Sequence, residues 1–286
     1  MRDFQLLFDD VLLDSGDGSL PLDPAMARYG KLVFPPPPPT RPWIYANFVQ
    51  TLDGIVSLLG DEASAADIGG LPEDRWLMDL LRAHADAVIL GMGTLRTEQR
   101  LQRPRPRGPV FRIVDPELQH LRARLGRGRQ RNVLVTARAA FQLSDYAVFD
   151  GELVDVTVVT THEGARRLDS QRERHPSVDI VAVDPAGDGV DLPQAVAALQ
   201  ERYGIRYLLC EGGPALYSGM LTSGLIDELF LTVSPIAVGA MSAHGPRPTV
   251  LPGVSLNKQD AVRWRWLSCR KVVDYQFHRF RREASS

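Results

Sequence analysis

The stretch from Ile205 to Val233 reads IRYLLCEGGPALYSGMLTSGLIDELFLTV. Its short apolar ends are typical of buried strands. The segment between them opens with two glycines and a proline, which suits a tight turn followed by the first position of a helix. A strand, a helix and a strand in succession make a crossover between parallel neighbours. The stretch therefore predicts an α/β protein with a parallel sheet.

The same rhythm runs upstream of this stretch. A strand, WIYANFV, precedes PEDRWLMDLLRAHAD, where Leu77, Leu80, Leu81 and His84 share one face of a predicted helix. Further short strands follow in AVILG, RNVLVT, VDVTVVT and VDIVAV, and a last helix in LPQAVAALQERY has Gly204 as its cap. The sheet should be mostly parallel and covered on both faces.

The two ends of the chain depart from this pattern. Near the C-terminus, ELFLTVSPIAVG and RWRWLSCRKVVDYQFHRF are strand-like with no long helix between them, which predicts antiparallel strands at one edge. At the N-terminus, a turn-rich segment leads into five prolines at 35–39. We expect an N-terminal extension with a proline-rich linker over residues 1–40 and the folded domain over residues 41–286.

Composition limits the classes of partner. The 286 residues carry a net charge of -2, and the pI is near 6.3, so no basic surface for nucleic acid is indicated. Cys210 and Cys269 belong to no CxxC or Cys/His cluster, which argues against a disulfide framework or a metal site. No leader-like or membrane-length apolar segment occurs. These features predict a soluble cytoplasmic protein that binds small molecules.

Two glycine segments follow predicted strands, at the edge of the sheet where α/β proteins bind ligands. The stronger one is Glu211 to Gly219, because free N–H groups at its helix start attract phosphate. A plain strand-to-helix turn fits it equally well. The weaker one is Gly91 to Glu98, which lacks the third glycine of a dinucleotide fingerprint.

Single charged residues leave the chemistry open at this level. Arg82 lies in the last turn of its helix, where a cation can simply complement the helix dipole. Glu211 follows a buried strand and suits a surface cap or a ligand contact equally. GxSxG and HExxH motifs are absent from the sequence, which leaves proton and hydride chemistry as the expectation.

Three segments in order resemble the riboflavin-pathway pyrimidine reductases. They are NFVQTLDG, LLRAHADAVILGMGTLRTE and LLCEGGPALYSGMLTSGLIDELFLTVSPIAVG, and the resemblance spans roughly residues 41–280. It implies a dihydrofolate reductase-like fold, a three-layer α/β/α sandwich with a mixed, mostly parallel sheet. It also implies NADPH as cofactor and a homodimer. The chain has no zinc deaminase signature, so the resemblance is to the reductase domain alone.

The resemblance also implies which residues form the site. The polar residues of NFVQTLDG would line a ligand cleft, with Asp53 and Glu211 orienting substrate or supplying a proton. Arg82 would bind an anionic or polyhydroxy group of the substrate, and Arg96, Arg103 and Arg105 are weaker candidates for the cofactor 2′-phosphate. The substrate-binding set is Asn47, Thr51, Arg82 and Glu211. The cofactor-binding set is Val49, Thr94, Glu98, Gly213, Pro214, Ala215, Leu216, Tyr217, Ser218 and Gly219.

The implied reaction transfers a hydride from NADPH to the ribosyl C1 of 5-amino-6-(5-phosphoribosylamino)uracil. Two departures from the family pattern concern the substrate: Asn47 stands where fused enzymes carry Lys, and QRLQRPRPR after Glu98 blurs a substrate-gripping motif. Reduction of dihydrofolate or another pterin is an alternative, for which Asp67 or Asp74 would hold the ring. A second alternative is a non-catalytic nucleotide-binding module.

Overall fold

A ten-stranded sheet forms the centre of the computed structural model, which describes residues 1–11, 24–60, 64–101 and 107–283. The strands are β1 Gln5–Asp9, β2 Trp43–Gln50, β3 Ala87–Gly91, β4 Arg131–Val135, β5 Asp155–Thr161, β6 Val178–Val183, β9 Tyr207–Cys210, β10 Glu228–Val233, β13 Trp264–Val272 and β14 Tyr275–Arg282. Their order across the sheet is β1-β13-β14-β10-β2-β9-β3-β4-β5-β6. Two small hairpins add β7 Pro185–Ala186 with β8 Gly189–Val190, and β11 Met241–Ser242 with β12 Gly245–Pro246.

Helices connect most of the central strands. They are α1 Pro24–Ala27, α2 Ala66–Gly69, α3 Pro72–His84, α4 Met92–Leu101, α5 Pro116–Arg124, α6 His162–Asp169, α7 Leu192–Tyr203 and α8 Pro214–Thr222. Two short 3₁₀ segments occupy Leu143–Asp145 and Ala147–Asp150. Within the described ranges, no helix has both the length and the apolar character needed to cross a bilayer.

The seven strands from β10 to β6 run parallel to their neighbours, whereas β14, β13 and β1 join antiparallel at one edge. Parallel neighbours arise because helices carry the chain back across the sheet, and the antiparallel pair β13 and β14 needs only a tight turn. The predicted three-layer sandwich with a mixed, mostly parallel sheet is therefore confirmed.

Alternation along β2 divides the core between the two faces. Tyr45 lies on the face covered by α3, where its hydroxyl donates to the carbonyl of Leu81 at 2.9 Å. Ile44 and Ala46 lie on the opposite face with Val196 of α7. Because the strand is buried on both sides, its polar residues are confined to its carboxyl end.

The described part of residues 1–40 packs on the same core as the rest of the chain. Strand β1 pairs with β13, Phe4 and Tyr29 are buried in the cluster beneath α3, and Asp9 accepts a hydrogen bond from buried Arg270. The Tyr207 hydroxyl donates to Pro35 at 3.1 Å, which fixes the start of the proline run. The expected extension is thus integrated into the sheet, and the polyproline segment is not a free linker.

Candidate active site

The cleft lies where the strand order switches direction. The chain passes from β2 to β3, and β9 later inserts between them. Pairing of β9 with β2 ends at Cys210 and Ala46, so beyond this point β2 has only β10 as a neighbouring strand. A crevice of this kind at the carboxyl ends of parallel strands is the usual ligand site of open α/β sheets.

The two glycine segments of the sequence meet at this crevice. A Cβ added to Gly213, which has a φ of +36°, would lie 2.8 Å from Thr94 Oγ1, and one added to Gly212 would lie 2.2 Å from the Cα of Leu90. Larger residues would therefore force the two turns apart. The structure thus brings together Thr94 and the Gly213 turn, which both belong to the predicted cofactor set.

The start of α8 presents unsatisfied backbone donors. Gly213 is its N-cap and supplies no side-chain hydrogen bond, so the first N–H groups stay available to a ligand. Ser218 lies in the same helix, and its buried hydroxyl has no partner within the described residues. An anionic phosphate group fits such a helix end.

The other residues of the α8 segment play unequal parts. Tyr217 turns away into the core, where its ring meets Phe48 edge-on at 4.8 Å, and burial raises the pKa of its hydroxyl. Leu216 packs beside Gly91 of the neighbouring turn. The Tyr217 side chain therefore holds the helix to the sheet, whereas the first backbone N–H groups of α8 stay available to a ligand.

Arg82 and Glu211 form a buried ion pair behind the turn. Arg82 Nε and Nη2 each donate to the Glu211 carboxylate at 2.6 Å, and Nη1 donates to Asp79 and to the carbonyl of Arg112, both at 3.0 Å. Burial acts to lower the pKa of Arg82, but the carboxylates of Glu211 and Asp79 outweigh it, and the net shift is upward. Arg82 is 1% exposed, so it holds Glu211 and presents no open face to a substrate anion.

Thr51 and Asp53 form a clasp between two loops. The Asp53 carboxylate accepts from Thr51 Oγ1 at 2.5 Å, from the Gly239 amide at 2.6 Å and from the Val238 amide at 3.1 Å. The Thr51 hydroxyl, followed by these amides, lowers the pKa of Asp53 despite its exposure. An ionised acceptor of this kind is suited to holding the loop after β10 and not to supplying a proton.

The floor of the crevice is polar but has few internal hydrogen bonds. Asn47 and Val49 lie on the α3 side of β2, and Asn47 Oδ1 is buried without a partner. The Thr232 hydroxyl on β10 is buried beside Asp74, and the Ser234 hydroxyl, just beyond β10, is buried without a partner within the described residues. The sequence reasoning missed Thr232 and Ser234, although alternation with buried Phe230 would have placed them on this face.

Glu98 and Arg96 point to different places. Glu98 accepts from the Ser64 hydroxyl at 3.2 Å, which ties α4 to the segment before α2. Arg96 lines a cavity of about 660 Å³ with Thr136 and Arg138, beyond the carboxyl end of β4, where Asp145 and Asp188 also lie. The other two candidates for the 2′-phosphate, Arg103 and Arg105, lie outside the described residues.

The two acids named for a pterin differ in burial. Asp67 is exposed in the first turn of α2, whereas Asp74 is half-buried in the first turn of α3. Burial raises the pKa of Asp74 to about 6, and the nearby Thr232 hydroxyl only partly offsets this.

Comparison with known proteins places this site in context. The model of the RibD C-terminal domain family matches residues 42–274. The 2,5-diamino-6-ribosylamino-4(3H)-pyrimidinone 5′-phosphate reductase of Archaeoglobus fulgidus is 28% identical over 222 residues, which cover 77% of this chain and 90% of the relative.

Two solved structures show the same fold. A pyrimidine reductase-like protein from Corynebacterium diphtheriae has a TM-score of 0.64 at 23% identity, with 85% of this chain and 92% of that chain covered. RibD from Acinetobacter baumannii has a TM-score of 0.60 at 18% identity, with 86% of this chain but 59% of that chain covered.

Proposed function

Because the chain belongs to the RibD C-terminal domain family, as its three motifs predicted, we propose that it is an NADPH-dependent reductase of a phosphoribosylaminopyrimidine. Hydride and a proton are added across the bond between the ribosyl C1 and its ring oxygen. The sugar opens to a ribityl chain, and NADPH is oxidised to NADP⁺. The cofactor supplies the hydride, and the protein supplies orientation and exclusion of water.

The observation that carries this proposal is the meeting of two kinds of surface at the switch point. One is the donor-rich start of α8 beside Thr94, which suits a pyrophosphate. The other is the floor at the ends of β2 and β10, where Asn47 Oδ1 and the Ser234 hydroxyl are buried without hydrogen-bond partners within the described residues. Buried polar groups without partners are costly, and a ligand that pairs with them explains their retention.

The cavity at the end of β4 supports a dinucleotide that carries a 2′-phosphate, as NADPH does. Arg96 and Arg138 line it, and guanidinium groups bind phosphate by paired hydrogen bonds. Asp145 and Asp188 in the same cavity reduce its positive charge. The preference for NADPH over NADH therefore rests on the two arginines.

We assign each site residue a part in this reaction. Glu211 and Arg82 are positioning residues, because their buried ion pair fixes the glycine turn that follows Glu211. Asn47 binds the substrate through its free oxygen. Thr51 and Asp53 shape the cleft by holding the loop at Val238.

Two pyrimidines are candidates for the substrate. One is the uracil compound that the motifs implied. The other retains an amino group at ring position 2, as the name of the Archaeoglobus fulgidus relative describes. A pterin is a second type of substrate, favoured by one observation: the half-buried Asp74 lies beside Thr232 of β10.

We further propose that the protein acts as a homodimer. One face of β1, β13 and β14 carries a row of aromatic rings: Phe8 meets Trp266 at 4.6 Å, and Trp266 continues to His278 and Phe280. Trp266 remains 46% exposed. An aromatic patch of this kind marks a surface for association, and a second copy of the chain is the partner we infer.

The deciding experiment follows NADPH absorbance with both pyrimidine ribotides and dihydrofolate in parallel. Substrate-dependent oxidation with a pyrimidine supports the proposal, and turnover of dihydrofolate alone would move the activity to pterins. Binding of NADPH with no oxidation in any reaction would favour the non-catalytic module.

The matched variant for this experiment is Asn47→Leu. Because Asn47 Oδ1 has no partner in the described structure, the change breaks no internal bond at that atom and should reduce turnover more than stability. Glu201→Gln, on the exposed side of α7, serves as the control that should behave as wild type.

A further inference from the structure

The two loops that follow β2 and β10 lie side by side beyond the carboxyl ends of those strands. The Leu52 amide donates to the carbonyl of Ile236 at 2.7 Å, and the Val56 amide donates to the carbonyl of Pro248 at 3.0 Å. Because β2 forms part of the crevice floor, its loop borders the crevice, and the loop after β10 braces it on the side away from β9. A shift of the loop after β10 would therefore move this wall of the crevice.

Arg247 lies in the loop after β10 and binds the backbone of both loops. Its Nη1 donates to the carbonyls of Val238 at 2.5 Å, Met241 at 2.7 Å and Gly239 at 3.1 Å. Its Nε donates to the carbonyl of Leu58, in the loop after β2, at 3.4 Å. The charge of this half-buried guanidinium is thus directed at backbone carbonyls.

The peptide group that joins Val238 to Gly239 is bonded at both ends. Its carbonyl accepts from Arg247 Nη1 at 2.5 Å, and its N–H donates to Asp53 Oδ2 at 2.6 Å. A cation and an anion therefore act on opposite ends of one peptide dipole. Hydrogen bonds in such a chain polarise one another, so each is stronger when the other is present. Arg247 is in this sense the second half of the clasp that Asp53 forms.

The completed clasp and the predicted cofactor turn lie on different sides of β2. The Gly213 turn follows β9, residues 234–248 follow β10, and β2 separates these two strands in the sheet. Loosening the clasp should therefore disturb the crevice near the ends of β2 and β10. The start of α8, where the cofactor pyrophosphate is expected, should keep its position.

We propose that Arg247 is a positioning residue for the substrate: it completes the clasp of Asp53 and so fixes the wall of the crevice that meets the ribotide and not the dinucleotide. This inference rests on the proposed function, which supplies a ribotide to the crevice. A residue that only stabilised the fold would affect both ligands alike, and this difference makes the role testable.

The first experiment measures kcat/KM for the two candidate pyrimidine ribotides and Kd for NADPH. A misplacement of about 1 Å in a site can cost on the order of 100-fold, so kcat/KM of Arg247→Ala should fall by about 10- to 100-fold, chiefly through KM. Kd for NADPH should be unchanged. Arg206→Ala is the control, because Arg206 is exposed just before β9, at the other end of the sheet, and this variant should behave as wild type.

Arg247→Lys tests whether the contacts themselves are responsible. One nitrogen of Arg247 makes three of its four contacts, and a lysine ammonium also carries three donors on one nitrogen. The lysine variant should therefore recover most of the ribotide KM. Unfolding curves in urea verify that each variant folds, and Arg247→Gln takes the place of Arg247→Ala if the alanine variant does not.

Combination with Asp53→Ala tests the shared peptide group. Either change alone releases that peptide, so the double variant should lose no more than the worse of the two single variants. Exchange of the Gly239 amide should accelerate in Arg247→Ala as it does in Asp53→Ala, and this readout requires no turnover.

Calorimetric binding of the ribotides to the NADPH-loaded protein separates this inference from the proposed function. Ribotide binding that is weakened by Arg247→Ala, in a protein that shows no turnover, would support the inference while refuting the reductase. Four outcomes would overturn the inference: turnover with an unchanged ribotide KM in Arg247→Ala, an equal loss of NADPH affinity, fully additive effects with Asp53→Ala, or no binding of either ribotide.

Discussion

Arg82 near the end of α3 and Glu211 at the end of β9 are joined by two hydrogen bonds of 2.6 Å, although they lie 129 residues apart in the sequence. The pair fixes the glycine turn that follows Glu211 to the long helix behind it. Because both side chains are almost wholly buried, their mutual charge compensation is part of the fold as well as of the site.

Arg82→Lys should impair both stability and turnover. A lysine has one nitrogen in place of the planar fork and cannot reproduce the paired contact to Glu211. Loss of one partner of a buried pair costs about 3 to 5 kcal/mol, and lysine should cost less because it keeps the charge. Unfolding in urea measures the effect on stability, and the rate of NADPH oxidation measures the effect on turnover. Arg206→Lys, at an exposed site, is the control, and equal behaviour of the two variants would contradict the positioning role of Arg82.

Asp53→Ala should loosen the loop after β10. The Val238 and Gly239 amides lose their acceptor, so their hydrogen exchange should accelerate while that of β2 is unchanged. The pKa of Asp53 is lower in the folded protein than its unfolded value of 3.8. Its contribution to the stability of the loop is therefore present above pH 3.8 and is lost as the pH falls through the folded pKa. In the wild type, protection of the Val238 and Gly239 amides from exchange should fall as the pH drops below 3.8. Unaltered exchange of these amides in Asp53→Ala would argue against the clasp.

Asp74→Asn should stabilise the protein at neutral and higher pH. The folded pKa of about 6 lies above the unfolded value of 3.8, so ionisation on going from pH 4 to pH 7 costs about 1 to 3 kcal/mol of folding free energy. Asparagine avoids this cost. The free energy of unfolding of the variant, measured in urea, should therefore be higher than that of the wild type at pH 8 and equal to it near pH 4. A constant difference across this range would show that Asp74 is not the titrating group.

Gly213→Ala should weaken NADPH binding more than it weakens the fold. The added Cβ would press on Thr94 Oγ1 and shift the turn that precedes α8. Gly126→Ala is a matched control, because Gly126 also has a positive φ, +67°, but has open space around its Cβ. Fluorescence titration with NADPH should show weaker binding for the first variant alone, and parallel losses in both would point to backbone strain as the cause.

Trp266→Glu should convert a dimer to a monomer. A carboxylate in the aromatic row of β13 and β14 would be buried without a partner at an interface. Analytical ultracentrifugation reports the mass, and Leu153→Glu places the same charge at another exposed apolar residue, 57% exposed. A wild-type monomer, or dissociation of both variants, would refute the proposed interface.

Most of the sheet was predictable because its strands are short, β-branched and separated by periodic helices. The buried face of α3, with Leu77 and Leu80, followed from spacing alone. The ion pair of Arg82 could not be predicted from spacing, because a cation in the last turn of a helix complements the helix dipole whether or not an acid lies behind it. Only the topology, which places β9 between β2 and β3, brings Glu211 within its reach.

Two other features depend on contacts that a linear pattern does not encode. Residues 5–9 have the apolar character of a strand, but their pairing with β13 is set by a partner near the other end of the chain. The buried, unpaired oxygen of Asn47 is likewise apparent only once β2 lies between β10 and β9.

The pairing of β1 with β13 has a consequence for the order in which the molecule is made. Gln5 leaves the ribosome long before its partner Lys271 exists, and at ~5–20 residues per second the interval is roughly 13 to 50 s. Throughout that time the backbone N–H and C=O groups of β1 have no strand to pair with. The nascent chain therefore exposes an unpaired strand edge until β13 has been translated.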